Sequence, residues 1–156
     1  MNNLHHRKAT INDLPTIVAL LLDDVLGQQR EANAEKIDQR YIDAFSRIDI
    51  DPNQYLMVVT SNDKIVGTCH LTLMPSLTFT GSTRLQIEAV RVLANHRGQK
   101  IGEWMVREAF KFAALNGASI IQLTTNKERA RAVQFYERMG FQATHAGMKY
   151  YVKDML

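Results

Sequence analysis

Apolar residues recur along this chain with two different periods, and the changes of period divide it into elements. Residues 4–9 have the make-up of a short strand. Thr10 then caps a helix, with Asp13 three residues on as a short capping box and Pro15 in the first turns, where its missing N–H costs little. Leu14, Ile17, Val18, Leu21, Leu22 and Val25 follow helical spacing and give one apolar face, closed near Gly27. A second amphipathic helix is predicted from about Asn33 to Ile48, with Ile37, Tyr41, Ala44, Phe45 and Ile48 inward. Residues 54–60 and 64–74 switch to alternation and β-branched side chains. Ser61-Asn62-Asp63 lies between them as a tight turn, so the pair reads as a hairpin.

The next strand, about Thr83 to Val92, changes face part-way. Leu85 and Ile87 place one set of alternate residues inward, whereas Val90 and Val92 place the other set. A strand switches faces only through an extra residue, which predicts a bulge near Glu88–Ala89. A helix from Gln99 to Leu115 follows, with Asn116-Gly117 as its C-cap. Ser119–Thr124 is a short apolar strand, and residues 128–139 form a helix closed by Gly140. Phe141–Lys153 is expected to add one or two strands, turning near Ala146-Gly147. The order is a strand, two helices, three strands, a helix, a strand, a helix and further strands. It predicts an α/β (α+β) sandwich around one mixed sheet, in a single domain over residues 1–156.

Composition narrows the function. The 156 residues are 46% hydrophobic and 22% charged, ordinary for a soluble globular domain. No run of eighteen apolar residues is present, so no membrane span or membrane partner is expected. Residues 1–7 lack the apolar core of a signal peptide. The single cysteine, Cys69, excludes an internal disulfide and fits a cytoplasmic setting. The net charge of +3 is spread along the chain, and no nucleic-acid partner is expected.

The chemistry concentrates at Val90–Gly102, read as a strand, a loop with glycines at 98 and 102, and a helix start. The first N–H groups of a helix lack partners inside it, and the helix dipole adds partial positive charge there. Glycine permits close approach of the backbone, and Arg97 and Lys100 add full charges. A pyrophosphate suits such a loop, which implies a nucleotide-bearing cosubstrate.

Three pieces of the sequence carry a family likeness. Ile87-Glu88-Ala89-Val90-Arg91-Val92 running into Arg97-Gly98-Gln99-Lys100-Ile101-Gly102 resembles the pyrophosphate loop of the GNAT family of acyl-CoA-dependent N-acyltransferases. Ala132-Val133-Gln134-Phe135-Tyr136-Glu137-Arg138-Met139-Gly140-Phe141 is similar to that family's late-helix signature. The early helix pair before the hairpin is the third. The resemblance spans nearly the whole chain and implies a mainly antiparallel sheet with a splayed, bulged central strand. Two positions depart from the pattern. Lys100 replaces the first motif glycine of the loop, and Arg129 stands where the family often has asparagine. The segment Leu123–Arg129 resembles a subset of small bacterial members whose substrates are mostly unassigned.

The resemblance implies attack of an amine on the thioester of acetyl-CoA, with no metal. Such a reaction wants a base near the amine, a donor near sulfur and polarisation of the carbonyl. Glu88 is the candidate base; its plainer reading is a solvated strand glutamate. Tyr136 is the candidate acid toward sulfur; its plainer reading is a core tyrosine. Coenzyme contacts are expected from the backbones of Val90 and Val92, from Arg97, Gly98, Gln99, Lys100, Ile101 and Gly102, and from Asn126 and Arg129. Cys69 reads as a buried hydrophobe, and Trp104, Phe110 and Phe112 read as core. The acceptor is expected to be a small primary amine; Asp23, Asp24, Arg30, Glu31 and Tyr41 around the first helices, and the hydroxyl-rich residues Thr78, Thr80, Ser82 and Thr83, are candidates to meet it, and the plainer reading of the Asp23–Asp24 pair is a solvated helix end. An acyl-CoA-binding regulatory module and a protein N-acetyltransferase are the alternatives. Homodimerisation through the late strands or first helices follows from fold analogy.

Overall fold

The computed structural model describes residues 3–23 and 37–152. Expectations for Asp24, Val25, Gly27, Arg30, Glu31, residues 33–36 and Lys153 lie outside them. The chain forms two compact units, Met1–Leu123 and Thr124–Leu156.

The first unit holds β1 (Leu4–Lys8), α1 (Leu14–Leu22), α2 (Gln39–Ile50), β2 (Gln54–Ser61), β3 (Lys64–Pro75), β4 (Thr83–Val92), α3 (Ile101–Leu115) and β5 (Ala118–Leu123). Its sheet runs β1-β2-β3-β4-β5 in sequence order. The first three pairings are antiparallel, and β4 pairs with β5 in parallel. The β2–β3 hairpin closes through Asn62 (φ 49°) and Asp63 (φ 62°). Two left-handed residues are what a two-residue turn needs to match strand twist, and Asn and Asp tolerate that region well.

Strand alternation sorts the core into two layers. Leu56 and Val58 of β2 pack with Ala9, Leu14, Ile17, Val18 and Phe45, which places α1 and α2 on one face. On the other face, a Cβ built at buried Gly67 would come within 2.8 Å of Met105 Cε and 3.0 Å of the Arg91 carbonyl. α3 therefore crosses that face closely, burying Ile101, Met105, Val106, Ala109 and Ala113. Beside β1, Arg7 grips Asp13 through two bonds of 2.6 and 2.9 Å, and the Thr10 N–H donates to the same carboxylate at 2.7 Å. The Arg7 guanidinium is the main cause that holds the Asp13 carboxyl down at about 2.

Several expectations are corrected. α2 begins at Gln39, where the Asp38 side chain accepts the Arg40 N–H at 2.9 Å. Phe45 is its most buried residue; Ile42 packs inward and Ala44 is exposed. Successive helical residues turn by about 100°, so Ala44 sits a full step from Phe45, and Ile42 lies nearer that line. α3 starts two residues later than expected, because Gln99 and Lys100 belong to the loop. α1 ends at Leu22. Trp104, Phe110 and Phe112 are half-buried rather than central: Trp104 stands edge-on to His6, and Phe112 lies 4.9 Å from the Tyr55 ring.

The second unit contains α4 (Ala130–Arg138), closed by Gly140 at φ 99°. No strand forms over the described residues 141–152, and residues 142–152 are exposed. Tyr150, Tyr151 and Val152 have strand propensity, but a strand exists only where a ladder partner satisfies its backbone.

Candidate functional site

The bulge expected from the face switch in β4 is present. His70 pairs with Glu88 and Thr68 with Arg91, so Cys69 alone stands across from Ala89 and Val90. Ala89 takes φ 51°, the left-handed step that absorbs the extra residue. Leu85, Ile87 and Val92 consequently share the α3 side, Val92 standing across from Gly67. Glu88 lies on the opposite side, exposed and across from His70.

The parallel β4–β5 ladder runs only from Thr83↔Ala118 to Ile87↔Leu123. Past Ile87, β4 continues to Val92 paired with β3 alone in this unit's sheet. Among the described residues, 88–92 thus have no ladder partner on this side and present a bare strand edge with the bulge at its mouth. Val90 and Val92 sit on this edge, half-buried.

The chain then turns through Ala94–His96 into the loop before α3. Gly98 (φ 78°) and Lys100 (φ 62°) are both left-handed, with Gln99 between them. Such alternation curls successive N–H groups into an anion-binding concavity. Here it leads into the N-terminus of the fifteen-residue α3. Among the described residues, nothing lies within 4 Å of a Cβ built at Gly98. The bare edge, Glu88 and this loop are consecutive along the chain.

Arg97 has a different set of partners from a phosphate. Its Nη2 donates to both the carbonyl and Oδ2 of Asp23 at 2.9 Å, and its Nε donates to the Val92 carbonyl at 3.1 Å. It ties the end of α1 to the end of β4. Asp23 is accordingly paired rather than a free attractor of cations. Thr78 and Thr80 sit in a single turn, Thr78–Gly81, where Phe79 and Thr80 are left-handed and Phe79 is exposed. Cys69 is buried beside Met57, and burial pushes its thiol up to about 12, which removes it as a nucleophile near neutral pH.

In the second unit, the Asn126 carbonyl accepts from the Arg129 N–H at 2.9 Å, and the Asn126 side chain caps the Glu128 N–H at 2.9 Å. Tyr136 stands on α4 with its ring edge-on to Phe135 and Phe141, at 5.0 and 5.6 Å. Glu88, Val90, Val92 and residues 97–102 lie along one stretch of the first unit, and Asn126, Arg129 and Tyr136 belong to the second.

A polar row on the Glu88 face carries no mark in the sequence. Gln54 stands across from Thr72, Thr72 from Gln86, and Gln86 from Gln122. The Gln122 amide donates to the Gln86 carbonyl at 2.9 Å, and Thr72 Oγ1 donates to Gln54 Oε1 at 2.8 Å. His70 Nε2 lies 2.7 Å from the same Gln54 oxygen. Burial lowers the His70 pKa, partly opposed by Glu88. Only strand register brings these residues together, and register is not readable before the bulge is placed.

Among the described residues, no helix is long and apolar enough to cross a membrane, and no group of three or more His, Cys, Asp or Glu stands ready to hold a metal ion.

Residues 19–141 match the model of the acetyltransferase (GNAT) family. The aminoalkylphosphonate N-acetyltransferase of Salmonella typhimurium is 30% identical over 140 residues, covering 89% of this chain and 85% of the relative. A crystal structure described as a transcriptional regulator from Bacillus halodurans superposes with a TM-score of 0.92 at 42% identity, over 96% of this chain and 99% of that one. A putative acetyltransferase from Agrobacterium tumefaciens gives a TM-score of 0.81 at 27% identity, over 94% and 99%. With its five-stranded mixed sheet and bulged fourth strand, this chain belongs to the GNAT family of acetyltransferases.

Proposed function

We propose that this protein transfers the acetyl group of acetyl-CoA to the primary amine of a small molecule by direct attack, in the cytoplasm of a bacterium, as a single functional domain and a homodimer. The observation that carries this reading is the continuity of a bare strand edge, a carboxylate at its bulge and an anion-binding loop. The residues fit the cosubstrate. N–H groups of residues 98–102 hold the pyrophosphate, helped by the Lys100 ammonium. The backbones of Val90 and Val92 pair with the pantetheine arm as an added strand would. Asn126 and Arg129 supply further contacts. Acetyl-CoA provides an activated thioester; the protein's task is to hold it and manage protons.

An alkylammonium has a pKa of roughly 10 and must lose a proton before it attacks. Glu88, exposed beside the bare edge, takes that proton directly or through water. Tyr136 donates toward the departing sulfur, since a phenol and a thiol have comparable basicity. The relative that acts on aminoalkylphosphonates supports a small amine acceptor. The description of the Bacillus halodurans structure favours a second reading, an acyl-CoA-binding regulatory module.

Thiol release from acetyl-CoA across a panel of small amines tests the two. A transferase releases thiol only with its amine, and E88Q and Y136F each lower turnover, by about 10²-fold, while still binding acetyl-CoA. Binding without release in the wild-type protein for every amine overturns the transferase reading in favour of the regulatory one.

A further inference from the structure

The polar row on the Glu88 face contains a histidine whose tautomer the hydrogen bonds fix. Gln54 Nε2 points to Asp51 Oδ2 at 3.4 Å, which turns Gln54 Oε1 toward β3. That oxygen accepts from Thr72 Oγ1 at 2.8 Å and faces His70 Nε2 at 2.7 Å. An amide oxygen only accepts, so His70 Nε2 carries the proton and Nδ1 carries the lone pair. Nδ1 has no hydrogen-bond partner among the described residues. His70 stands directly across the ladder from Glu88, next to the bulge. Side chains so paired have Cβ atoms about 5 Å apart. Resting on the transferase reading above, we infer that His70 is a second proton acceptor in the transfer step, sharing with Glu88 the proton lost by the acceptor amine.

The step balances. The ammonium gives one proton to Nδ1, directly or by way of Glu88, leaving an imidazolium that later returns it to solvent. The freed lone pair forms the C–N bond as the C–S bond breaks, and the second nitrogen proton finishes on sulfur. Burial keeps His70 neutral, in the form a base needs, near neutral pH. Among the described residues, Glu88 faces it from β4, Arg91 shares that face one ladder position on, across from Thr68, and Asp51 stands behind Gln54. α2 places Tyr41 against the apolar cluster that includes Leu56, the residue across from His70. α1 contains no titratable side chain.

The experiment is the pH profile of kcat/KM with acetyl-CoA and an accepted amine, for wild type, H70Q and Q54E. A glutamine at 70 retains an amide N–H for Gln54 but has no basic nitrogen. H70Q is expected to lose about 10²-fold in kcat/KM and the acidic limb assigned to His70, with acetyl-CoA binding retained. Q54E places a carboxylate on Nε2, favours the imidazolium and moves that limb up by about one pH unit. A merely structural histidine would not move the limb. Should H70Q fail to fold, the Q54E shift decides the matter. Wild-type turnover with both profiles unmoved overturns the inference alone; absence of wild-type turnover with every amine overturns the transferase reading and the inference with it.

Discussion

Lys100 is held at φ 62°, ψ 15°, where its Cβ crowds the following carbonyl. The left-handed region costs an L-residue about 1–2 kcal/mol. Replacing it with glycine removes that cost but frees the unfolded chain by about 0.5–1 kcal/mol. The balance favours K100G by about 0.5–1 kcal/mol, which raises Tm by about 1–4 °C for a chain of this size. The same change deletes an ammonium from the anion loop. A solvent-screened charge at a phosphate contributes about 1 kcal/mol, or about fivefold in Kd. K100G should therefore melt higher and bind acetyl-CoA more weakly. K100A loses the charge but keeps a Cβ in the strained conformation, so it should share the affinity loss without the gain in Tm. Differential scanning fluorimetry and calorimetric titration read the two effects separately. A K100G protein that melts no higher than K100A refutes the strain argument. An unchanged Kd in both variants refutes the placing of the ammonium at the phosphate.

Two further predictions concern the scaffold. G67A drives a methyl group into Met105 Cε and the Arg91 carbonyl, so urea unfolding should show a loss of about 1–3 kcal/mol; an unchanged midpoint would mean α3 sits farther from β3 than described. Asp13 titrates at about 2 when folded, below its ordinary value of 3.8, so its stabilisation is complete above about pH 4–5 and is lost as pH falls toward 2. With Arg7 half-exposed to solvent, the contribution discounts to about 1 kcal/mol. Wild type should thus lose stability between pH 5 and about 2 relative to D13N, and parallel denaturation curves for the two proteins across that range would sink the assignment.

Much of the fold was legible because the hydrophobic period changes cleanly. Leu85 and Ile87 against Val90 and Val92 announced the bulge, and Asn62-Asp63 announced the hairpin turn. Helix starts were harder. Asp38 caps α2 within a polar stretch that offers several caps, and Lys100 by itself favours helix, its left-handed turn being suggested only by the motif glycine it replaces. Phe141–Val152 shows the limit of propensity, since pairing is decided by another segment. Around the candidate site, local motifs carried the bulge at Glu88–Ala89 and the loop before α3. The Arg97–Asp23 ion pair was not legible in sequence, because its two members lie seventy-four residues apart. The placing of His70 was hidden for a related reason: its neighbours Gln54 and Glu88 lie on two other strands.

The split pairing of β4 also has a bearing on how the molecule assembles. The hairpin joins Ser61 to Lys64, close neighbours in sequence, whereas the last rung beside the bare edge joins Ile87 to Leu123 across the whole of α3. Bringing the distant pair together costs about 2 kcal/mol more in loop-closure entropy. That cost is recovered only once α3 has settled on the sheet over Gly67. The loop that opens α3 is therefore expected to take its shape together with the strand that limits the edge, as one cooperative event rather than in succession.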